Sequence, residues 1–410
     1  MRAALAAVLA LAGCRQIAGL HDLEGEGSID APLTNAELVP SNAVVIDHAT
    51  KDQTGVTVND VAVFDTDSGQ VSGSVVRAAG TGVLNSIDYR TADFGGAPLG
   101  VFAMSSLVVA PAGVIQLRGS RSAVLIVEGV VTIDGKIDGN GGCADPSMRA
   151  CPGAGGGRGG TAPGDAMGCS PGGLGSTMIS NGADTGGGGG GGGGNGAAGG
   201  AESVAANNYP GGPGAPRCMA PELEPLLGGG GGGGGGKGGA PPAAGGGGGG
   251  AVQISAFGAI TIAGVITMGG AGGEAGQRDA AGMNGGAGGG GGGGGSILLE
   301  APTVTVSGTL AANGGGGGGG ATNTISAQPG ATGTPGSLPA AGGTGGGTMG
   351  AGGNGATRDV EAATAPGTTS TNSGGGGGGV GRIFIRTASS PTLTGSTLTP
   401  APGVGRIRTR

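Results

Sequence analysis

Aromatic side chains are almost missing from this 410-residue chain, which has no Trp, two Tyr and five Phe. That scarcity removes the stacking platforms on which sugar clefts and single-stranded nucleic-acid grooves rely. Basic residues are few as well. With 19 Lys and Arg against 26 Asp and Glu, the formal charge is −7 and the pI near 4.8. No basic stripe is available to follow a phosphate backbone, so nucleic acid is excluded as a partner. There are two His, His21 and His48, and no apolar run is long enough to span a bilayer. A Walker-type frame is missing around Lys237, and no series of G-G-x-G-x-D calcium nonapeptides occurs.

What the chain has in quantity is glycine, 112 residues of it. Glycine brings no side chain to a core and loses the most backbone entropy on ordering. Such content without a Gly-X-Y period is the composition of low-complexity sequence, so the tracts read either as flexible linkers or as ordered excursions. Core-forming residues are confined to short β-branched runs and to a β-like stretch at 43–100.

Residues 1–13 read as a signal peptide: Met1-Arg2 followed by an apolar run from Ala3 to Ala12. The run ends Leu11-Ala12-Gly13-Cys14, which resembles the bacterial lipobox at all four positions. That resemblance implies removal of the preceding peptide and acylation of Cys14, so the expected location is the cell envelope, at the outer membrane or cell surface. Several acyl chains on one residue anchor durably, whereas one chain alone is marginal. Residues 14–42 then form an acidic tether carrying Asp22, Glu24, Glu26 and Asp30. His21 lies in it and reads as solvated. Region 43–100 has short β-branched runs punctuated by Asn59-Asp60 and Asp67-Ser68-Gly69, and reads as a small β-domain or a cap.

From Val101 onward one pattern recurs: aliphatic, polar, aliphatic, any residue, glycine. Its copies are Ile115 to Gly119, Val131 to Gly135, Ile260 to Gly264, Val304 to Gly308 and the degenerate Pro391 to Gly395. Thr132, Thr261, Thr305 and Thr392 occupy equivalent places, with Gln116 in the first copy. An aliphatic strand precedes each copy, and Ile137, Ile266, Leu310 and Leu398 mark a further short strand after the last four. Alternation places Val131 and Ile133 inside and Thr132 outside. Stacked units of this kind predict a mainly β fold: a right-handed parallel β-helix, or solenoid, over 101–410, with a Thr ladder along it. The Gly119-to-Gly135 spacing sets the expected coil at about 16 residues, with glycine at the corners for its unusual backbone angles.

Later pattern glycines lie much farther apart, so glycine-rich insertions are expected at 143–250, 270–295 and 314–379. The tracts are placed with order. Gly245–Gly250, Gly288–Gly295 and Gly374–Gly379 each end at the next strand, and Gly314–Gly320 opens an insertion directly after Asn313. Gly186–Gly194 and Gly228–Gly236 lie inside the longest insertion. Side by side as extended helices of three residues per turn, such tracts could exchange backbone hydrogen bonds. They resemble the polyglycine II sandwiches of phage tail-tip adhesins and glycine-rich antifreeze proteins.

Beyond Cys14 the cysteines are Cys143, Cys151, Cys169 and Cys218, all in the longest insertion. An even number in an exported chain reads as disulfides with three possible connectivities, and proximity favours Cys143–Cys151 and Cys169–Cys218. Zinc is the rival reading, but no C-x-x-C pair supports it. The segment Asp134 to Asn140 has calcium-loop letters, yet Lys136 stands where an acid is needed. No metal or other cofactor is expected.

As a whole the chain resembles the glycine-rich, PGRS-like bacterial surface lipoproteins, on its lipobox and its interleaved glycine tracts and V-T-I-x-G strands. The resemblance implies a non-enzymatic surface protein with a structural or adhesive role. Its partners would be membrane lipid through Cys14 and a surface polysaccharide or another cell-surface protein. The alternative is a divergent carbohydrate-active lyase or hydrolase, since pectin-lyase-like enzymes share the β-helix. Against it, His48 is followed by Ala49, so the Gly-His-Gly segment of some such enzymes is missing. Arg382, Arg386, Arg406, Arg408 and Arg410 make the C-terminus basic, either as a contact for anionic lipid or polysaccharide or as a solvated last strand.

Overall fold

The β-branched triplets form strands and find each other across long sequence gaps. Val131–Ile133, Ile260–Ile262 and Val304–Val306 lie side by side, parallel and in register, with Val131 beside Ile260 beside Val304. Leu107–Val109 and Val56–Val58 continue the same sheet, here called sheet 2. Sheet 3 runs in parallel through Val61–Asp65, Val114–Arg118, Lys136–Asp138, Val265–Thr267, Thr309–Ala311 and Thr397–Thr399. It brings Ile115, Ile137, Ile266, Leu310 and Leu398 into one row. Sheet 1 holds the longer strands Ala97–Met104, Ser122–Val127, Ala251–Ala256, Ser296–Ala301, Arg382–Thr387 and Gly403–Arg406, also parallel.

The computed structural model describes residues 37–410 apart from 43, 45–47, 143–148, 162–164, 176–184, 205–206, 237–239, 280, 282–283, 359 and 368–371. Leu38–Arg410 make one unit. It is mainly β, with three largely parallel sheets. The chain visits sheets 1, 2 and 3 in turn. Each such visit is called a tier, and the first tier has only Val56–Val58 and Val61–Asp65. The stack therefore starts at Val56, within the 43–100 stretch that reads as a small β-domain or a cap. An antiparallel hairpin, Ile87–Phe94 on Ala97–Met104, extends sheet 1 at this end. Below it the buried Arg77 donates to the carbonyls of Gly69, Ala78, Gly82 and Ile87.

One core runs through all tiers. Ile254, Leu299 and Ile385 from sheet 1 meet Val131, Ile133, Ile260, Ile262, Val304 and Val306 from sheet 2 and Ile137, Ile266 and Leu310 from sheet 3. Exclusion of this aliphatic surface from water is the main favourable term holding the tiers together.

Two details differ from the sequence reading. Val131 lies beside Leu107, 24 residues earlier, whereas Ile115 lies beside Ile137. The first pattern copy, Ile115 to Gly119, therefore belongs to sheet 3. Gln116 stands beside Asp138, and a tier is longer than the expected 16 residues. Two-residue alternation fits any of the three strands of a tier equally well, so spacing alone misassigned it. Nor do all the pattern glycines share the unusual backbone angles expected at corners: Gly119 and Gly395 adopt positive φ, whereas Gly135, Gly264 and Gly308 do not. A Cβ at Gly264 would overlap the Gly135 carbonyl, and one at Gly308 the Gly264 carbonyl. Close stacking selects glycine there.

Sheet 1 is also covered on its outer face. Leu99, Val101, Val124, Ile126, Leu298 and Phe384 form a second apolar cluster with Val44, Met219, Leu223 and Leu226. Its strands accordingly read Ser-Ala-Val-Leu-Ile-Val or Ser-Ile-Leu-Leu-Glu-Ala, mostly apolar with only single polar residues rather than alternating, as strands buried on both faces do.

Candidate functional site

The insertions converge on one tract. Gly288–Gly295 exchanges backbone hydrogen bonds with six surrounding segments. Gly288, Gly291 and Gly294 donate to Ser373, Gly376 and Gly379. Gly289, Gly292 and Gly295 donate to Glu274, Ala271 and Met268, and Gly290 and Gly293 to Gly233 and Gly230. In return the tract's carbonyls accept from Gly187 and Gly190, from Gly246 and Gly249, and from Gly315 and Gly318. Each partner recurs after three residues, so consecutive amides point in three directions around the tract axis. Interior polar backbone is paired in this way without sheet or helix.

Only glycine permits such an approach. A Cβ at Gly290 would overlap the Gly188 carbonyl, at Gly291 the Gly315 carbonyl and at Gly292 the Gly247 carbonyl. Farther out, proline enters the same three-residue rhythm. Gly212, Ala215 and Cys218 donate inward to Gly186, Gly189 and Gly192, while Pro213 and Pro216, which have no N–H, fall between them. Asn side chains fix where segments leave the strands. Asn140 Oδ1 accepts from Gly269 N at 2.6 Å and Thr267 Oγ1 at 2.8 Å, and Asn313 Nδ2 donates to Thr334 and Gly336 carbonyls.

A disulfide joins Cys169 and Cys218, with Cα atoms 5.8 Å apart. It ties two outer segments of the longest insertion. Cys151 is also disulfide-bonded; its proposed partner Cys143 lies outside the described residues, as do Cys14, His21 and Lys237. Gly168-Cys169-Ser170-Pro171-Gly172 has the letter spacing of a nucleophile elbow, but it does not turn a strand into a helix. Ser170 is buried there, and its carbonyl accepts from Gly191 N. Thr132, Thr261 and Thr305 are in register, and a bridge adds Thr392. Thr132 and Thr305 are half-buried, Thr261 and Thr392 exposed. The ladder is short, and in the Leu107–Val109 strand its place is taken by Val108. In the calcium-like segment Lys136 Nζ binds Asp138 Oδ2 at 2.7 Å.

Sequence reasoning missed the polar lattice on the outer face of sheet 1. Ser255, Glu300 and Arg386 are neighbours in register on consecutive strands. Glu300 is almost wholly buried and accepts from Ser41 N at 3.1 Å, Ser255 Oγ at 2.7 Å and Gln253 Nε2 at 3.0 Å. Burial pushes its carboxyl well above the usual range, and the hydrogen bonds from Ser41 and Ser255 and the Arg386 charge oppose that only in part. Arg386 pairs with Glu222 at 2.8 Å and Glu224 at 2.5 Å. Asn42 bonds to Gln253 Oε1, the Leu223 carbonyl and Leu226 N, linking the N-terminal segment, a strand and an insertion. The signal was in the letters: Gln253, Ser255, Glu300 and Arg386 interrupt otherwise apolar strands.

Two clefts open among the insertions. One of about 730 Å³ is lined by Arg149, Glu274, Arg278, Asp279 and Ser326. Arg149 there is lowered in pKa by burial, which Glu274 partly offsets. The other, of about 680 Å³, is lined by Asn195, Arg217, Thr357, Arg358 and Glu361. Behind it Arg382 is lowered by burial and by the like charge of Arg217. His48 Nδ1 lies 2.7 Å from Glu128 Oε2, its ring edge-on to Phe257. Among the described residues no group of three or more His, Cys, Asp or Glu is placed to hold a metal ion.

The chain matches no family model, no curated protein and no solved structure.

Proposed function

We propose that this chain is a non-enzymatic, lipid-anchored surface protein of the cell envelope, a PGRS-like lipoprotein with a structural or adhesive role. Its body is a right-handed parallel β-helix carrying its insertions as a bundle of polyglycine II helices. Cyclic visits to three parallel sheets support the β-helix, and right-handed crossovers are the rule for parallel strands. The three-residue rhythm of hydrogen bonds supports the polyglycine II form.

The observation that carries the structural role is the Gly288–Gly295 tract bonded on all sides by six segments. Much of the chain's glycine is committed to packing backbone against backbone, which builds stiffness and bulk rather than a reactive pocket. The lipobox ending at Cys14 supports the anchor, and the acidic segment after it supports a tether. An adhesive duty would fall to polysaccharide or protein at the cell surface, met by the polar loops and clefts of the insertions.

Fractionation tests the anchor: Cys14→Ser is expected to move the protein from the membrane fraction to the soluble one, and mass spectrometry to find acyl chains on wild type only. A panel of surface polysaccharides tests the rest. Binding without new reducing ends supports an adhesin, and release of reducing ends would assign a carbohydrate-active enzyme instead.

A further inference from the structure

The turn that ends the Gly186–Gly194 tract holds two arginines. Gly193, Gly194 and Asn195 border the cleft of about 680 Å³. The Gly193 carbonyl accepts from Arg382 Nη2 at 3.4 Å, and Asn195 Oδ1 accepts from the backbone N–H of Arg217 at 2.9 Å. Arg217 lines the cleft and is exposed, and its guanidinium has no hydrogen bond or ion pair among the described residues. Behind it Arg382 is half-buried, and its fully buried Nε has no acceptor among the described residues. Burial lowers the Arg382 pKa and the like charge of Arg217 adds to that, with no carboxylate opposing. Positive charge drawn partly out of water in this way calls for an anion to compensate it.

Arg382 differs in this from its neighbour Arg386. Arg382, Phe384 and Arg386 alternate with the core residues Ile383 and Ile385, so both arginines stand on the outer face of sheet 1. There Arg386 takes Glu222 and Glu224, and Arg408 also reaches Glu224. Glu300 is held by the N-terminal strap, which pairs Leu38 with Thr409 and then crosses this face through Ser41 and Asn42. Among the described residues Glu361 is the one acid lining the cleft, and its segment also brings Arg358. Donors predominate on the turn itself: the N–H groups of Gly193 and Asn195 and the Asn195 Nδ2 have no acceptor among the described residues.

We propose that this cleft binds an acidic sugar, with Arg217 gripping its carboxylate, Arg382 adding positive charge from behind and the Gly193–Asn195 turn donating N–H groups. A guanidinium meets a carboxylate bidentately, which fixes orientation as well as charge. The cleft is roomy enough to take the sugar ring along with its oxyanion. Beyond the arginines its wall offers the exposed Thr364 hydroxyl as donor and acceptor and the Glu361 carboxylate as acceptor, a mixture that suits sugar hydroxyls. No Trp, Tyr or Phe lines it, so charge rather than stacking sets which sugar is held. The inference rests on the adhesive reading and names the ligand class for one site of it.

Titration of the full chain with a soluble oligosaccharide of alternating glucuronate and N-acetylglucosamine tests the site. Binding is expected, with the carboxyl-reduced form of the same oligosaccharide bound about tenfold more weakly. Arg217→Gln is expected to weaken binding of the acidic form about tenfold with thermal unfolding unchanged, and Arg217→Lys, which keeps the charge, to weaken it less. Bound oligosaccharide is expected to shield Arg217, and not Arg118 on sheet 3, from modification by phenylglyoxal, as read by peptide mass spectrometry. Equal binding of the carboxyl-reduced form, no loss with Arg217→Gln, or no shielding of Arg217 would overturn the inference, while neutral polysaccharide bound elsewhere on the chain would still support an adhesin. Inorganic sulfate or a polyglutamate peptide held at Arg217 as tightly as the oligosaccharide would overturn the assignment to a sugar. Release of reducing ends that still requires Arg217 would overturn the non-enzymatic reading and leave this site in place.

Discussion

Ser41 and Glu300 stand 259 residues apart in sequence, yet Ser41 donates both its backbone N–H and its hydroxyl to the buried Glu300 carboxylate. Glu300 also receives Ser255 and Gln253 from the neighbouring strand, so one acid joins the N-terminal strap to the stack. A buried acid that keeps its hydrogen bonds is tolerated, whereas stripping its partners leaves an uncompensated group.

Its titration sets a pH dependence. Burial raises the folded pKa of Glu300 above its ordinary value of 4.5. The native state then binds the proton more tightly than the unfolded chain. The contribution to stability is complete below pH 4.5 and is lost as pH rises through the folded value. Glu300→Gln removes that titration while keeping an acceptor oxygen. Melting temperatures of wild type and variant are expected to lie close at pH 4.5, with the variant increasingly ahead toward pH 8. A gap that does not change with pH would show that Glu300 titrates as an exposed acid does.

Gly291→Ala probes the glycine bundle. The new Cβ has no room beside the Gly315 carbonyl, so tracts must separate and lose backbone hydrogen bonds. The expected cost is about 3 kcal/mol, the upper range for overpacking a close-packed interior. Gly367→Ala is the control: its Cβ would meet only the Ala201 carbonyl, at 3.4 Å, and a change within about 0.5 kcal/mol is expected. Denaturant unfolding of the two variants reads the difference.

Val304 and Thr305 are adjacent and should respond oppositely. Val304 is 1% exposed and packed in the central core, so Val304→Asp would strand a charge among Ile262, Ile260 and their neighbours. Loss of the β-sheet circular dichroism signal and of cooperative unfolding is expected. Thr305 faces outward and half-buried beside Thr261. Thr305→Ser is expected to lower stability by less than about 1 kcal/mol.

Replacing Ala321 to Ser373 by a short turn tests whether the stack depends on its last insertion. Gly375 and Gly378 donate to Gly318 and Gly315, so the tracts on either side of the cut already lie antiparallel and adjacent. The shortened chain is expected to keep its strand signature and a single cooperative transition. Its melting temperature should fall, because Gly317 and Gly319 lose Gly353 and Gln328 as acceptors. Two separate transitions would mean that the tiers on the two sides of the insertion fold independently.

Much of the strand inventory was legible because a buried strand writes its period locally. Val131-Thr132-Ile133 and its relatives announce themselves by alternation, and Ile137, Ile266, Leu310 and Leu398 fall in one row as the repeat implied. The Cys169–Cys218 pairing followed from proximity in the chain. Assigning Ile115 to its sheet did not, because alternation carries no label for which of three sheets a strand joins.

The sequence by itself determined where strands and glycine tracts lie, since hydrophobic period and the absence of side chains are properties of short segments. Tertiary structure alone decided three things: that Gly288–Gly295 sits inside six other segments, that sheet 1 is covered on both faces, and that the strap returns Leu38 to Thr409. The physical reason is common to all three. Backbone hydrogen bonds between distant glycines use the same donor and acceptor at every position, so no residue letter marks the register. The pairing of Ser41 with Glu300 likewise depends on a burial that only the assembled stack creates.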